Sequence, residues 1–280
     1  MINTRSALHD YHMGSFTSNT VDSWKRAPVR GAFFVFWLLC LSSLSLLADT
    51  ASTGQFKVSK VIDGDTLILK NGDHVRFIGI NTPELGHGKF KDEPLANQAR
   101  QFVKRKIEGR EVRLQGEQEK RDKYGRRLAH IFSAGGENIQ IELLQRGLAF
   151  AVAVSEDLSY LDAYLAAEEI AKQAAKGLWG DDFYAPISAK KAVDYRQRGY
   201  QRVFGPVERV SRSKKYQTLH LQGDFRILIS HDNWAKYFNG KLQSYVGKQV
   251  QVRGWVFKSY GITGMKVYHP SMLTVGASRI

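Results

Sequence analysis

Cysteine is all but missing. The only one in 280 residues, Cys40, sits inside an apolar run near the start of the chain. The part that follows can therefore hold no intramolecular disulfide, no thiolate zinc site and no cysteine nucleophile. Acidic side chains are also in short supply. Against 41 Lys and Arg stand 27 Asp and Glu, giving a formal charge of +14 and a pI near 9.8. That balance points to polyanionic partners, either nucleic acid or an anionic membrane surface. With 43% hydrophobic and 24% charged residues the composition is globular rather than disordered, and the length suggests two domains.

Residues 31–48, GAFFVFWLLCLSSLSLLA, follow Lys25, Arg26 and Arg30 and precede Asp49. An apolar segment behind a positive flank reads as an export signal, with cleavage expected after Ala48 and a periplasmic or secreted destination. The alternative is retention as a membrane anchor, for which 18 residues are just long enough. Residues 1–48 carry four cations and two anions, so +12 of the +14 belongs to the remainder.

Residues 61–84, VIDGDTLILKNGDHVRFIGINTPE, concentrate the chemistry. Two β-rich runs, Val61 to Lys70 and His74 to Ile80, flank Asn71-Gly72, a strong signal for a hairpin with a two-residue turn. In that register Lys70 faces Asp73 and Asp65 faces Ile78, so Arg76 becomes a diagonal neighbour of Asp65 at about 7–8 Å. Thr82-Pro83 ends the second strand and delivers Glu84 just beyond it. An Asp carboxylate, an amide oxygen at Asn81 and a backbone carbonyl at Thr82 suit a hard cation, and the group reads as a Ca²⁺ site with an arginine beside it. The bland alternative is an Asp-Gly-Asp turn, an exposed strand arginine and an ordinary Thr-Pro-Glu loop.

A further β segment, Phe56 to Val61, precedes this hairpin. After it, Pro94 opens a helix with apolar positions Leu95, Ala99, Phe102, Val103 and Ile107, and Gly109 is placed to end it. Glu111 to Gly116 and Arg126 to Ser133 form a second strand pair. Helices are expected over Ile139 to Arg146 and Asp157 to Lys176, the second with Leu158, Leu161, Leu165 and Ala171 on its apolar face. His87, alone in the polar loop after Glu84, reads as solvated. Residues 181–199 lack a period and read as a linker. Beyond them lie five more β segments: Val203 to Val210, Gln217 to Leu221, Phe225 to Ser230, Gln249 to Phe257 and Met265 to Tyr268. A short helix is expected over Asn233 to Phe238. Strand pairs mixed with helices argue for an α+β fold with antiparallel sheets. Trp255, Phe257, Tyr260 and Tyr268 either stack nucleobases beside Arg253, Lys258 and Lys266 or fill the barrel, and core packing is the favoured reading.

Asp63-Gly64-Asp65-Thr66, Arg76, Thr82-Pro83-Glu84 and Asp122-Lys123-Tyr124-Gly125-Arg126 together resemble the staphylococcal nuclease (thermonuclease) family in order and spacing, over about Phe56 to Trp179. The resemblance implies a five-stranded barrel of the oligonucleotide-binding type with three helices over residues 55–180. Residues 200–280 are read as a second, similar barrel, since Gly247 to Gly254 resembles a strand common in such barrels. It also implies an endonuclease hydrolysing DNA and RNA, single strands preferred, with little sequence preference and as a monomer. In that reading Asp65, Asn81 and the Thr82 carbonyl hold one Ca²⁺, with Asp63 acting through water. Glu84 orients or deprotonates the attacking water, Arg76 and Arg126 grip the phosphoryl oxygens, and Lys123 and Tyr124 touch the substrate backbone.

Two departures stand out. Asn81 occupies a position where the family prototype carries Asp, so one ligand charge is missing. Residues 148–155, LAFAVAVS, lack the tyrosines the prototype sets against substrate, leaving Phe150 and Tyr160 as candidate substitutes. A catalytically weak nucleic-acid-binding module of the same fold is the alternative function.

Overall fold

The computed structural model describes residues 54–86, 88, 90–116, 121–194 and 199–276. The apolar segment 31–48, Cys40 and His87 lie outside them. Among the described residues no helix is long and apolar enough to cross a membrane.

The first barrel closes from β1 (Gly54–Val61), β2 (Thr66–Leu69), β3 (His74–Phe77), β5 (Glu111–Gln115) and β6 (Arg127–Ser133) in the spatial order β1-β2-β3-β6-β5. Neighbours are antiparallel except β3 and β6, which pair in parallel with Arg76 opposite Leu128. Inward residues Val58, Leu67, Leu69, Val75, Phe77, Ala129 and Ile131 form the core. Helix α1 (Ala96–Ile107) plugs one end with Ala99, Phe102, Val103 and Ile107, as the helical spacing predicts. The chain leaves it through Gly109 at φ 76°, a left-handed conformation that costs glycine little. A two-residue strand, β4 (Ile80–Asn81), pairs with β7 (Phe150–Ala151) on the barrel's flank.

The hairpin register differs from expectation by one residue. Thr66 pairs with Arg76 and Leu67 with Val75, so the turn holds three residues, Lys70, Asn71 and Gly72, rather than two. Gly72 alone takes positive φ, at 89°, and its N–H donates to the Leu69 carbonyl at 3.0 Å. A three-residue loop with its last residue left-handed is the next commonest hairpin solution. Asp65 consequently lies level with Phe77, whose N–H donates to the Asp65 carbonyl at 2.9 Å, and not with Ile78. Such a slip inverts side chains within a regular strand. Asp65, however, belongs to the bend before β2, where the pleat does not dictate direction.

Helix α2 (Ile139–Gln145) is capped by Asn138, whose side chain accepts from the Ile141 N–H at 3.1 Å. Helix α3 is shorter than expected, Leu161–Gln173. Asp157 binds both the N–H and the hydroxyl of Ser159, a local turn that competes with helix at its start. Ala175 and Gly177, both at positive φ, stop it. Its buried face holds Leu161, Tyr164, Ala167, Glu168 and Ala171, while Leu165 is only partly covered.

The second barrel repeats the topology. β9 (Tyr200–Arg212), β10 (Tyr216–Leu221), β11 (Phe225–Ser230), β12 (Gln249–Ser259) and β13 (Ile262–Val267) close in the order β9-β10-β11-β13-β12, again with the third and fifth strands parallel. Helix α5 (His231–Tyr237), capped by Ser230, again separates the third strand from the fourth. Val203, Leu219, Ile227, Ile229, Val252 and Met265 fill the interior. The segment read as a linker carries structure of its own. Within it β8 (Ile187–Ser188) pairs with β9, and α4 (Ala189–Asp194) buries Ala189 and Ala192 in the second core. A last strand, β14 (Leu273–Val275), pairs with β12.

Candidate active site

Gly64 is where the site begins. A Cβ there would lie 2.7–2.8 Å from Thr82 and from the Cβ of Ala99, so only glycine lets the bend 63–65 settle onto Thr82 and α1. The Asp63 carboxylate accepts from the Asp65 N–H at 2.9 Å and holds the bend shut. Asp65, 5% exposed, is thereby aimed inward with both oxygens engaged. Oδ2 accepts from the Thr82 N–H at 2.8 Å, and Oδ1 meets the Arg76 guanidinium at 2.5 Å and the Thr66 hydroxyl at 3.3 Å. Pairing of β4 with β7 sets Asn81 beside them, its side-chain oxygen accepting from Arg76 at 3.3 Å and its NH₂ donating to the Thr82 carbonyl at 3.2 Å. Asp65, Arg76, Asn81 and Thr82 thus form one bonded network drawn from three chain segments.

Two more carboxylates belong to the same field. Burial pushes the Asp63 carboxyl up to about 7, and the charges of Asp65 and, more weakly, Glu84 act in the same direction; the bond from the Asp65 N–H and the Arg76 charge oppose them. Glu84 is exposed, and the loop that carries it is clasped by Glu93. The Glu93 side chain accepts from the Glu84 N–H at 3.0 Å, and the Glu93 N–H donates to the Glu84 carbonyl at 2.9 Å.

Arg126 sits in a neighbouring cluster. Its N–H and Nε donate to Asp122 at 3.0 and 2.7 Å, and its guanidinium lies 5.4 Å from the ring of Tyr124, which Lys123 also approaches at 4.9 Å. Leu128 on β6 pairs with Arg76 on β3, and Arg126 lies two residues earlier, in the turn segment just before β6 begins. Tyr124 is 71% exposed, open to a ligand.

The two substitutes for the missing tyrosines are committed elsewhere. Phe150 is buried, stacked on Tyr200 at 4.8 Å and packed edge-on by Trp179 and Tyr184. Tyr160 donates its hydroxyl to Gln115 at 2.8 Å. Neither is placed to replace a substrate-facing tyrosine. Three supporting residues had no assigned role in the sequence reading. Asp122, four residues before Arg126, is a spacing that signals an ion pair, whereas the clasp by Glu93 and the steric demand at Gly64 leave no local signature.

As a cation site the donors fit in kind: a carboxylate, an amide oxygen and a main-chain carbonyl, all hard oxygens, with a second carboxylate, that of Asp63, two residues before the first. Among the described residues no three of His, Cys, Asp and Glu form a cage, so any such site depends on Asn81 and Thr82. The Asn81 amide now turns its NH₂ to the Thr82 carbonyl; turning it over brings its oxygen there at the expense of the bond from Arg76.

A small five-stranded barrel with parallel third and fifth strands and a carboxylate–guanidinium cluster on one flank defines an oligonucleotide-binding-type fold bearing a polar site. The comparisons narrow this. The pattern of the family described as staphylococcal nuclease homologue matches residues 74–181. The thermonuclease of Staphylococcus hyicus is 33% identical over 136 residues, 48% of this chain and 80% of that protein. The thermonuclease of Staphylococcus intermedius is 34% identical over 127 residues, 44% and 75% respectively. Endonuclease YncB of Bacillus subtilis (strain 168) is 31% identical over 132 residues, 45% and 62%. The chain belongs to the staphylococcal nuclease family. The second barrel, from Tyr200 onward, lies beyond the matched residues.

Proposed function

We propose that the chain is an exported, Ca²⁺-dependent endonuclease that hydrolyses phosphodiester bonds in DNA and RNA, acting as a monomer and favouring single strands. The observation that carries this reading is the Arg76 guanidinium fastened to both Asp65 and Asn81. In a family whose relatives are named nucleases, this pairing supports a phosphate-gripping role for Arg76 beside oxygen donors fit for a metal. Asp65, Asn81 and the Thr82 carbonyl are the residues that would hold Ca²⁺, with Asp63 behind them. A bound divalent cation supplies Lewis-acid polarisation and neutralises charge developing on phosphorus. Arg76 and Arg126 bind phosphoryl oxygens through planar guanidinium forks. Glu84, exposed at the end of the Thr-Pro corner, takes the proton of the attacking water. Lys123 and Tyr124 meet the backbone of the substrate. Contacts of this kind carry no base information, hence the low sequence preference. The leader at residues 31–48 provides the export step.

Digestion of single-stranded DNA in calcium or in chelator tests the reading. Glu84→Gln is expected to slow cleavage about a hundredfold or more, the usual range for a lost general base, and chelator to abolish it. Cutting indifferent to chelator removes the calcium assignment, and tight binding without cutting favours a binding module.

A further inference from the structure

The outer face of the second barrel is a second place where chemistry gathers. On β10, β11 and β13 the inward residues Leu219, Ile227, Ile229, Met265 and Val267 are buried, so their neighbours face outward by strand alternation. Leu228 pairs with Lys266 and Phe257 with Gly264, which puts all four on one outer face. Gly264 leaves the floor bare, and a Cβ there would meet the Arg226 carbonyl oxygen at 2.1 Å. Around this floor stand Trp255, Tyr260 and Tyr268, 38%, 101% and 37% exposed. With Tyr216 they line a groove of about 490 Å³ whose only charged wall is Lys266. The favoured expectation, that these aromatics fill the barrel, is therefore corrected: register turns Trp255 and Phe257 outward, and Tyr260 and Tyr268 are exposed beyond the strand ends. Arg253 is also withdrawn from any ligand, since it is paired with Glu168 at 2.6 Å.

We propose that this groove binds single-stranded nucleic acid, with unstacked bases lying on Trp255, Phe257, Tyr260 and Tyr268 and a phosphate against Lys266. The inference rests on the nuclease reading only for its purpose, which is to hold substrate beside the cleaving barrel. Charge complementarity selects the occupant. Residues 200–276 carry twelve Lys and Arg and only three acids, Glu208, Asp224 and Asp232, none of which lines the groove. Exposed ring faces bind any base, but only when the base is out of a duplex, so stacking adds selectivity for single strands to the charge attraction. The groove also communicates with the first barrel. Trp255 packs edge-on to Tyr200 at 5.3 Å, Tyr200 stacks on Phe150, and Phe150 pairs with Asn81. Tyr268, at the other rim, also lines a cleft shared with Val154, Ser155 and Leu158 of the first barrel.

The test is fluorescence anisotropy of labelled oligothymidylate with the full chain in chelator, so that no cleavage intervenes. Tyr260→Ala, a fully exposed position, is expected to weaken binding about fivefold, and Trp255→Ala combined with Tyr268→Ala about fiftyfold, at unchanged urea midpoint for the single variant. Duplex of equal length is expected to bind more weakly than the single strand and to be insensitive to these changes. Wild-type affinity in both variants, or duplex binding as tight as single strand, overturns the proposal. Loss of binding to anionic phospholipid vesicles in the variants, with oligothymidylate binding intact, assigns the groove to a lipid surface and overturns it too. A protein that binds through the groove but fails to cut once calcium is restored refutes the nuclease reading and leaves the groove standing.

Discussion

The two barrels wind five strands in the same order, insert a helix at the same point and pair the same strands in parallel, yet they carry their polar residues in opposite styles. The first gathers Asp65, Arg76, Asn81 and Thr82 in a buried or half-buried bonded network at the edge of a hairpin, with Asp63 beside it, and leaves Glu84, Lys123 and Tyr124 in the open. Among its described residues the second buries no comparable cluster of carboxylates and shows solvent a row of rings beside Lys266. A barrel of this kind constrains its inside far more tightly than its outside. Chemistry that needs fixed geometry sits where turns and short strands lock it, and contact that needs only broad faces and charge sits on the outer sheet.

What joins the barrels is sharper than either style. Arg253 on β12 meets Glu168 on α3 at 2.6 Å, and the other oxygen of Glu168 accepts from the Ala151 N–H at 2.8 Å. Ala151 pairs with Ile80, next to Asn81, so the second barrel braces the strand that carries a candidate ligand. Cutting this brace is the strongest way to break the comparison. Arg253→Ala strands a buried carboxylate and is expected to cost about 3–5 kcal/mol in urea unfolding. It should also weaken cleavage, whereas Arg253→Met paired with Glu168→Gln should recover most of the stability. A loss below about 1 kcal/mol would mean that the barrels stand independently.

A smaller effect sharpens the contrast within the first barrel. Asn81→Asp adds a ligand charge and removes the NH₂ that now binds the Thr82 carbonyl. The calcium concentration for half-maximal cleavage is expected to fall roughly tenfold, because affinity at such sites follows ligand charge. The metal-free protein should lose stability, since a third carboxylate joins Asp63 and Asp65. Calcium dependence identical to the parent would show that position 81 is not a ligand.

Much of this was legible in the sequence, and most of the misses turn on partners far away in the chain. Amphipathic α1, both sets of five strands and the clustering of Asp65 with Arg76 follow from short-range pattern. The turn at Asn71-Gly72 was read as a two-residue loop because both residues tolerate positive φ, and only the structure shows that Gly72 alone uses it. Residues 181–199 looked like a linker because their two buried alanines make a weak period that acquires meaning only against β9. Phe150 and Arg253 were offered to ligands for the residue types they are. Their real partners, Tyr200 and Glu168, lie 50 and 85 positions away, a distance over which a lone sequence carries no pairing signal.

The least of the expected effects separates the barrels by acid response. His130, on the outer side of β6 and covered by Tyr160 and Tyr164, is 2% exposed, with its Nδ1 2.7 Å from the Tyr164 hydroxyl and its Nε2 3.3 Å from Asp157. Burial lowers its pKa below the ordinary histidine value, and the nearby Asp157 only partly restores it. The unfolded chain therefore binds this proton more readily than the folded one. His130 costs nothing above about pH 6.5 and destabilises as pH falls below it, by at most about 1.4 kcal/mol per pH unit. His220, whose Nε2 lies 2.8 Å from the Ser211 hydroxyl on the second barrel, is also lowered, first by burial and then by the Arg209 charge, but its side chain is less fully enclosed than that of His130. His130→Gln should flatten the decline in urea stability between pH 6.5 and 5, and His220→Gln should flatten it less. An unaltered slope in His130→Gln would assign the acid sensitivity to other groups.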